Sequence, residues 1–162
     1  MHMRRLVFAC ALFGLLALPA SAFGSTRAAG DGTFVAKNAS GVIQIVATGA
    51  FFGRCDTCKV WISDPNPDDG PGPKLSNVDF RRDPVGPGTI WGGADLRFRL
   101  IGGFFRLRVS GYGIDLSAVG HGSGNIVGAG TLDDGTYSLN GGDFKSVQDD
   151  IFSFKLLAPA SG

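Results

Sequence analysis

The sequence predicts a single all-β domain, an antiparallel β-sandwich or barrel of about eight to ten short strands, and three observations predict it. The 162 residues include 26 glycines and 13 phenylalanines, and every acidic residue is Asp. Helical stretches of Ala, Leu and Lys are missing beyond the N-terminal apolar run, so strong helix formers are scarce. Phe, Val and Ile sit instead in short runs between Gly, Pro, Asn and Asp, which is the composition of strands joined by tight turns.

Arg4 and Arg5 precede an apolar run from Leu6 to Leu18, and Pro19-Ala20-Ser21-Ala22 places small residues three and one positions before a cut after Ala22. This is the pattern of a cleaved export signal. The run is shorter than the roughly 20 residues of a spanning helix, so removal is expected rather than anchoring. The polar lead-in and Phe-Leu pattern of a twin-arginine signal are missing, and too few residues precede Cys10 for a lipid-anchor signal, which leaves general export. The expected organisation is a signal peptide over 1–22, a flexible leader over 23–33 and the all-β domain over 34–158, secreted or otherwise extracytoplasmic, at the periplasm or cell surface. Loss of Arg4 and Arg5 takes the formal net charge from +1 to −1. A nucleic-acid partner held by a global basic field is therefore not expected, and electrostatic function must be local.

Strand signals begin at Phe34. Val42–Thr48 is rich in β-branched residues and bounded by Gly41 and Gly49, and Phe51-Phe52 and Val60-Trp61-Ile62 make two further runs in the same sheet. Asp64–Pro73 and Asp83–Gly93 are rich in Pro and Gly and read as surface loops around a short strand near Val78 and Phe80. Leu96–Ile101 and Phe104–Val109 flank Gly102-Gly103, which suits a two-residue hairpin turn. Pairing Ile101 with Phe104 would set Leu100, Phe98 and Leu96 against Phe105, Leu107 and Val109 on one apolar face. Asp134-Gly135 reads as a second tight turn, with Leu132 opposite Tyr137, and Ile151–Leu156 alternates as a closing strand.

Phe104–Val109 through Gly113–Gly120, then Gly128–Thr131 and Tyr137–Gly142, together with Gly41–Ile45 leading into Gly49–Arg54, resemble a group of uncharacterised secreted β-rich, Gly-rich proteins of actinobacteria. The resemblance covers most of the chain beyond the signal and implies an exported β-domain; it carries no activity or catalytic residues. Cys55, Cys58 and His121 depart from the pattern of that group.

Four features could carry chemistry. Cys55 and Cys58, three apart in an exported chain, are expected to close a structural disulfide across a hairpin turn; a redox pair would want a helix N-terminus, and none follows. With His121 they are the only soft metal ligands beyond the signal, one short of a closed zinc site. Asp64, Asn66 and Asp68 resemble the start of a calcium loop, but the glycine falls one place late and no Glu closes it, so a solvated turn is the expectation. In the hairpin register Arg97 would face Arg108 and Arg99 would face Arg106, four guanidinium groups on one face. Asp95 and Asp115 could neutralise them, or they could bind an anionic ligand. The adjacent pairs Asp68-Asp69, Asp133-Asp134 and Asp149-Asp150 point to opposite faces of a strand, and His121 sits among glycines, so no catalytic pair is legible. The expected function is a non-catalytic binding or structural module of the bacterial envelope, without cofactor and not membrane-spanning, contacting anionic envelope polymer through the arginines. The alternative is a small thiol-redox or metal-dependent enzyme using Cys55, Cys58 and His121.

Overall fold

The computed structural model describes residues 30–158; the expected export signal and most of the expected leader lie outside the described residues. Among the described residues seven strands form one antiparallel sheet: β1 (Gly32–Ser63), β2 (Lys74–Ser76), β3 (Phe80–Arg82), β4 (Thr89–Gly128), β5 (Thr136–Leu139), β6 (Lys145–Ser146) and β7 (Phe152–Leu156). The class is all-β, as expected, but the strands are not uniformly short. β1 has 32 residues and β4 has 40, against the five or six of an ordinary strand. The runs at Val42–Thr48, Phe51-Phe52 and Val60–Ile62 are all passages of β1.

The register explains how such strands stay within one domain. Gly41 lies opposite both Gly111 and Gly128, Ile45 opposite Leu107 and Gly124, and Arg54 opposite Arg97 and Asp115. β1 and β4 therefore make a two-stranded ribbon that winds on itself, most residues of β1 pairing with two residues of β4 that lie 17 or 18 apart. Two corners per turn divide the winding into two flanks. The first runs in order β6, β5, residues 32–40, 111–120, 50–57, 94–101 and β2. The second runs β7, 120–128, 41–49, 104–111, 58–63, 89–93 and β3. Their inner faces share one apolar core, in which Phe51 of the first flank meets Phe105 of the second edge-on at 6.2 Å and Phe34 stacks on Phe154 at 4.5 Å.

Glycine makes the corners. Gly41 and Gly111 face each other at one, Gly49 and Gly120 at the other, all four at positive φ. A Cβ on Gly49 would collide with the carbonyl oxygen of Val119, and one on Gly120 with that of Thr48. Only glycine supplies both this backbone and this clearance. Between corners, single extra residues reset the inward-outward alternation, as bulges do. Asn38, at φ 49°, lets Ala36 and Ala39 both face the core, and Asp56, with no partner in the ladder, does the same for Cys55 and Cys58.

Two expected hairpins are absent. Leu96–Ile101 and Phe104–Val109 do not pair; Gly102 and Gly103, at φ 67° and 75°, carry β4 round a corner, so Leu100 faces Phe51 and Phe105 faces Ala47. The Asp69 carboxylate closes that corner by accepting the Phe104 N–H at 3.2 Å. Tyr137 pairs with Ala36 and Lys145 rather than with Leu132, which is fully exposed. Asp134 is buried there and accepts the Gly130 N–H at 2.8 Å and the Thr131 N–H and hydroxyl. The expected closing strand is present as β7, paired with residues 122–126 of β4.

Candidate functional site

The winding separates the four arginines. All are exposed, because each alternates with a core residue. Arg97 and Arg99 lie on the first flank, beside Arg54 and Ser76 and beside Phe52 and Lys74 respectively; Arg106 and Arg108 lie on the second, beside Val46 and Ser63 and beside Gln44 and Trp61. The four-arginine face depended on the hairpin register and falls with it. Neither expected neutraliser reaches them either. Asp115 binds Arg54, whose Nη2 and Nε donate to Oδ2 at 2.7 and 2.8 Å, while Oδ1 accepts the Asn38 N–H at 2.8 Å. Asp95 accepts the Asn77 amide through its backbone carbonyl. Among the described residues the ion pairs are Arg54–Asp115 and Arg81–Asp83, so all four arginines stand without a carboxylate.

The outer faces of the flanks differ in charge balance. The first carries the larger hollow, about 890 Å³, lined among others by Lys37, Arg54, Arg97, Asp56 and Asp115. It holds carboxylates beside its cations, and Asp115 pairs with Arg54 there. Desolvation pulls the Asp115 carboxyl upward, but the Asn38 N–H and the Arg54 guanidinium outweigh it and hold the group below the usual carboxylate range. Lys37 also has a partner, its Nζ lying 4.3 Å from the centre of the Phe144 ring.

On the second flank two hollows of about 530 and 440 Å³ share Gln44 and Val46 as a common wall. Successive strands place Ser153, Asn125, Gln44, Arg108, Trp61 and Ile90 in one row, with Arg106 and Lys59 in the rows on either side. Arg106, Arg108 and Lys59 line the first hollow and Lys155 the second, and no carboxylate lines either. Trp61 is half-buried, its indole so close to Gly88, just before β4, that a Cβ there would collide with it. The Asn125 amide reaches Gln44 Oε1 at 3.4 Å. This face presents cations, amides, hydroxyls and one indole, a set suited to holding an anionic, hydroxyl-bearing chain.

The other expected sites fall apart from this one. Cys55 and Cys58 form a disulfide, with Cα atoms 6.0 Å apart, facing the core at a bulge inside β1 rather than across a hairpin turn. His121 is exposed within β4, opposite Thr48, and not in a turn. Asp64, Asn66 and Asp68 lie between β1 and β2, where the Asn66 carbonyl accepts the Asp69 N–H at 3.0 Å and Asp64 Oδ1 is buried without a hydrogen-bond partner. Among the described residues no three His, Cys, Asp or Glu side chains come together as a metal site, and no helix is long and apolar enough to cross a membrane. Trp61, Gln44, Lys59 and Asn125 were not singled out in the sequence. Alternation with core residues is the local signal that could have found three of them, Lys59 and Trp61 around Val60 and Ile62, and Gln44 between Ile43 and Ile45.

No protein-family model, no curated protein and no solved structure matches the chain, so the site is read from its own geometry.

Proposed function

We propose that the protein is an exported, non-catalytic β-domain of the bacterial envelope that holds an anionic envelope polymer on the outer face of its second flank. The observation that carries the reading is the groove in which Arg106, Arg108 and Lys59 converge with no carboxylate among its lining residues. Uncompensated guanidinium groups on a rigid sheet are prepaid for carboxylate or phosphate, which they bind through paired N–H donors. Arg97 and Arg99 are left out of the site. The expected export signal and the resemblance to secreted β-rich proteins of actinobacteria support the reading, since an exported domain would have envelope polymers as its neighbours.

The test is co-sedimentation of the protein with isolated cell envelopes at low and high salt, beside an Arg106→Gln/Arg108→Gln variant whose fold is checked by circular dichroism. Wild type pelleting at low salt, release at high salt and loss in the variant are the expected results, since screened charge contacts weaken as the Debye length shrinks. Equal pelleting of both proteins at either salt would refute the reading.

A further inference from the structure

Trp61 is the one aromatic lining the hollow of Arg106, Arg108 and Lys59, and it has no ring or cation partner among the described residues; Phe154, which lines the adjoining hollow, is buried against Phe34. The aromatic pairs are built from Phe34, Phe51, Phe105, Tyr137, Phe152 and Phe154, and the cation contacts are Lys37 on Phe144 and Arg81 on Trp91. Arg108 lies directly across the ladder from Trp61 without stacking on it. An indole that lies close to Gly88 and stays half-buried in the lining of a groove offers a flat apolar platform to a ligand.

We infer that the groove takes an acidic sugar, so that the anionic polymer is a glycan whose ring lies on Trp61. The inference rests on the anion-binding reading above and narrows it to one chemistry. A pyranose has an apolar face of C–H groups that covers an indole, an equatorial rim of hydroxyls and, in an acidic sugar, a carboxylate at the rim. The groove offers a partner to each: Trp61 to the C–H face, Gln44 and Asn125 to the hydroxyls, Arg108 and Arg106 to the carboxylate. From Asn125 to Trp61 the row crosses three strand spacings, roughly 14 Å, enough for more than one sugar unit. A bare polyphosphate would use the cations and leave the indole and amides idle. A single-stranded nucleic acid would want successive aromatic platforms, and this groove has one ring that is not buried.

The experiment titrates the full chain with polygalacturonate, sodium polyphosphate and an oligothymidylate at one low salt concentration, for wild type, Trp61→Ala, Trp61→Phe and Gln44→Ala. Thermal unfolding confirms that each variant is folded, and Trp61→Phe keeps a ring should Trp61→Ala misfold. Polygalacturonate is expected to bind tightest and to lose affinity tenfold or more in Trp61→Ala and severalfold in Gln44→Ala, with Trp61→Phe retaining most of it and polyphosphate binding unchanged throughout. Equal binding of polygalacturonate and polyphosphate, untouched by the Trp61 variants, would overturn the sugar inference and leave the anion reading standing. Oligothymidylate binding tightest would replace the sugar with a nucleic acid. Binding of none of the three would overturn both readings.

Discussion

Single residues set the acid stability of this fold. Thr131, through its hydroxyl, is the largest influence holding the buried Asp134 carboxyl below the ordinary carboxylate range; desolvation opposes it, and the N–H groups of Gly130 and Thr131 add to it. A carboxylate with a depressed folded pKa contributes stability that is complete above its unfolded pKa, about 4, and is lost as pH falls through the lower folded value. Urea denaturation at a series of pH values between neutrality and strong acid should therefore show wild type losing stability below about pH 4. An Asp134→Asn variant is expected to be weaker at neutral pH and flatter toward acid; parallel curves for the two proteins would remove Asp134 from that role. At this scale the sequence was readable where one residue's chemistry decides. Two cysteines three apart, in a chain expected to be exported, pointed to a cross-link, and the structure has one. It was unreadable where the neighbour is remote, because nothing near Asp115 announces Arg54, which reaches it only through the winding of β1 against β4.

Two strands carry the architecture, and their corners and bulges are where it can be broken. Gly49→Ala or Gly120→Ala would drive a Cβ into the carbonyl of a neighbouring pass at a backbone angle that alanine resists, at an expected cost of about 2–4 kcal/mol in chemical denaturation. Gly72→Ala is the control: a Cβ there meets nothing within 4 Å, and a change within about 0.5 kcal/mol is expected. Equal effects at corner and control would dissolve the corner account. The disulfide spans the bulge at Asp56, closing a loop of four residues, so reduction should lower the unfolding free energy by about 1–3 kcal/mol without altering the strand content seen by circular dichroism. A urea midpoint indifferent to reductant would contradict that contribution. The misread hairpin at Gly102-Gly103 shows why elements of this kind resist sequence reading. Two glycines at positive φ serve a tight turn or a corner equally well, and the apolar alternation on either side is the same whether the chain folds back or carries on. Only the partners decide, and these are Phe51 and Ala47 of β1.

At the scale of the whole molecule, composition was enough for the fold class, since a chain this rich in Gly and Phe and free of Glu has little to build but sheet. The winding of one ribbon into two flanks lay beyond it. That winding is set by β1 pairing with β4 on both of its sides, and it determines which exposed residues share a surface. Arg106 and Arg108 were recognisable from alternation with Phe105, Leu107 and Val109; their neighbours Gln44 and Trp61 come from two passes of β1 that are adjacent only through the intervening stretch of β4. The central claim is that the second flank, and not the first, is the binding face. The most direct test compares Arg97→Gln/Arg99→Gln with Arg106→Gln/Arg108→Gln in envelope co-sedimentation at low salt, two variants with the same loss of charge. The account predicts that the first variant pellets like wild type and that the second loses affinity by about tenfold or more, as expected for removing two charge-assisted contacts. Equal loss in both would mean that net charge alone drives the association, and loss confined to Arg97→Gln/Arg99→Gln would place the site on the wrong flank.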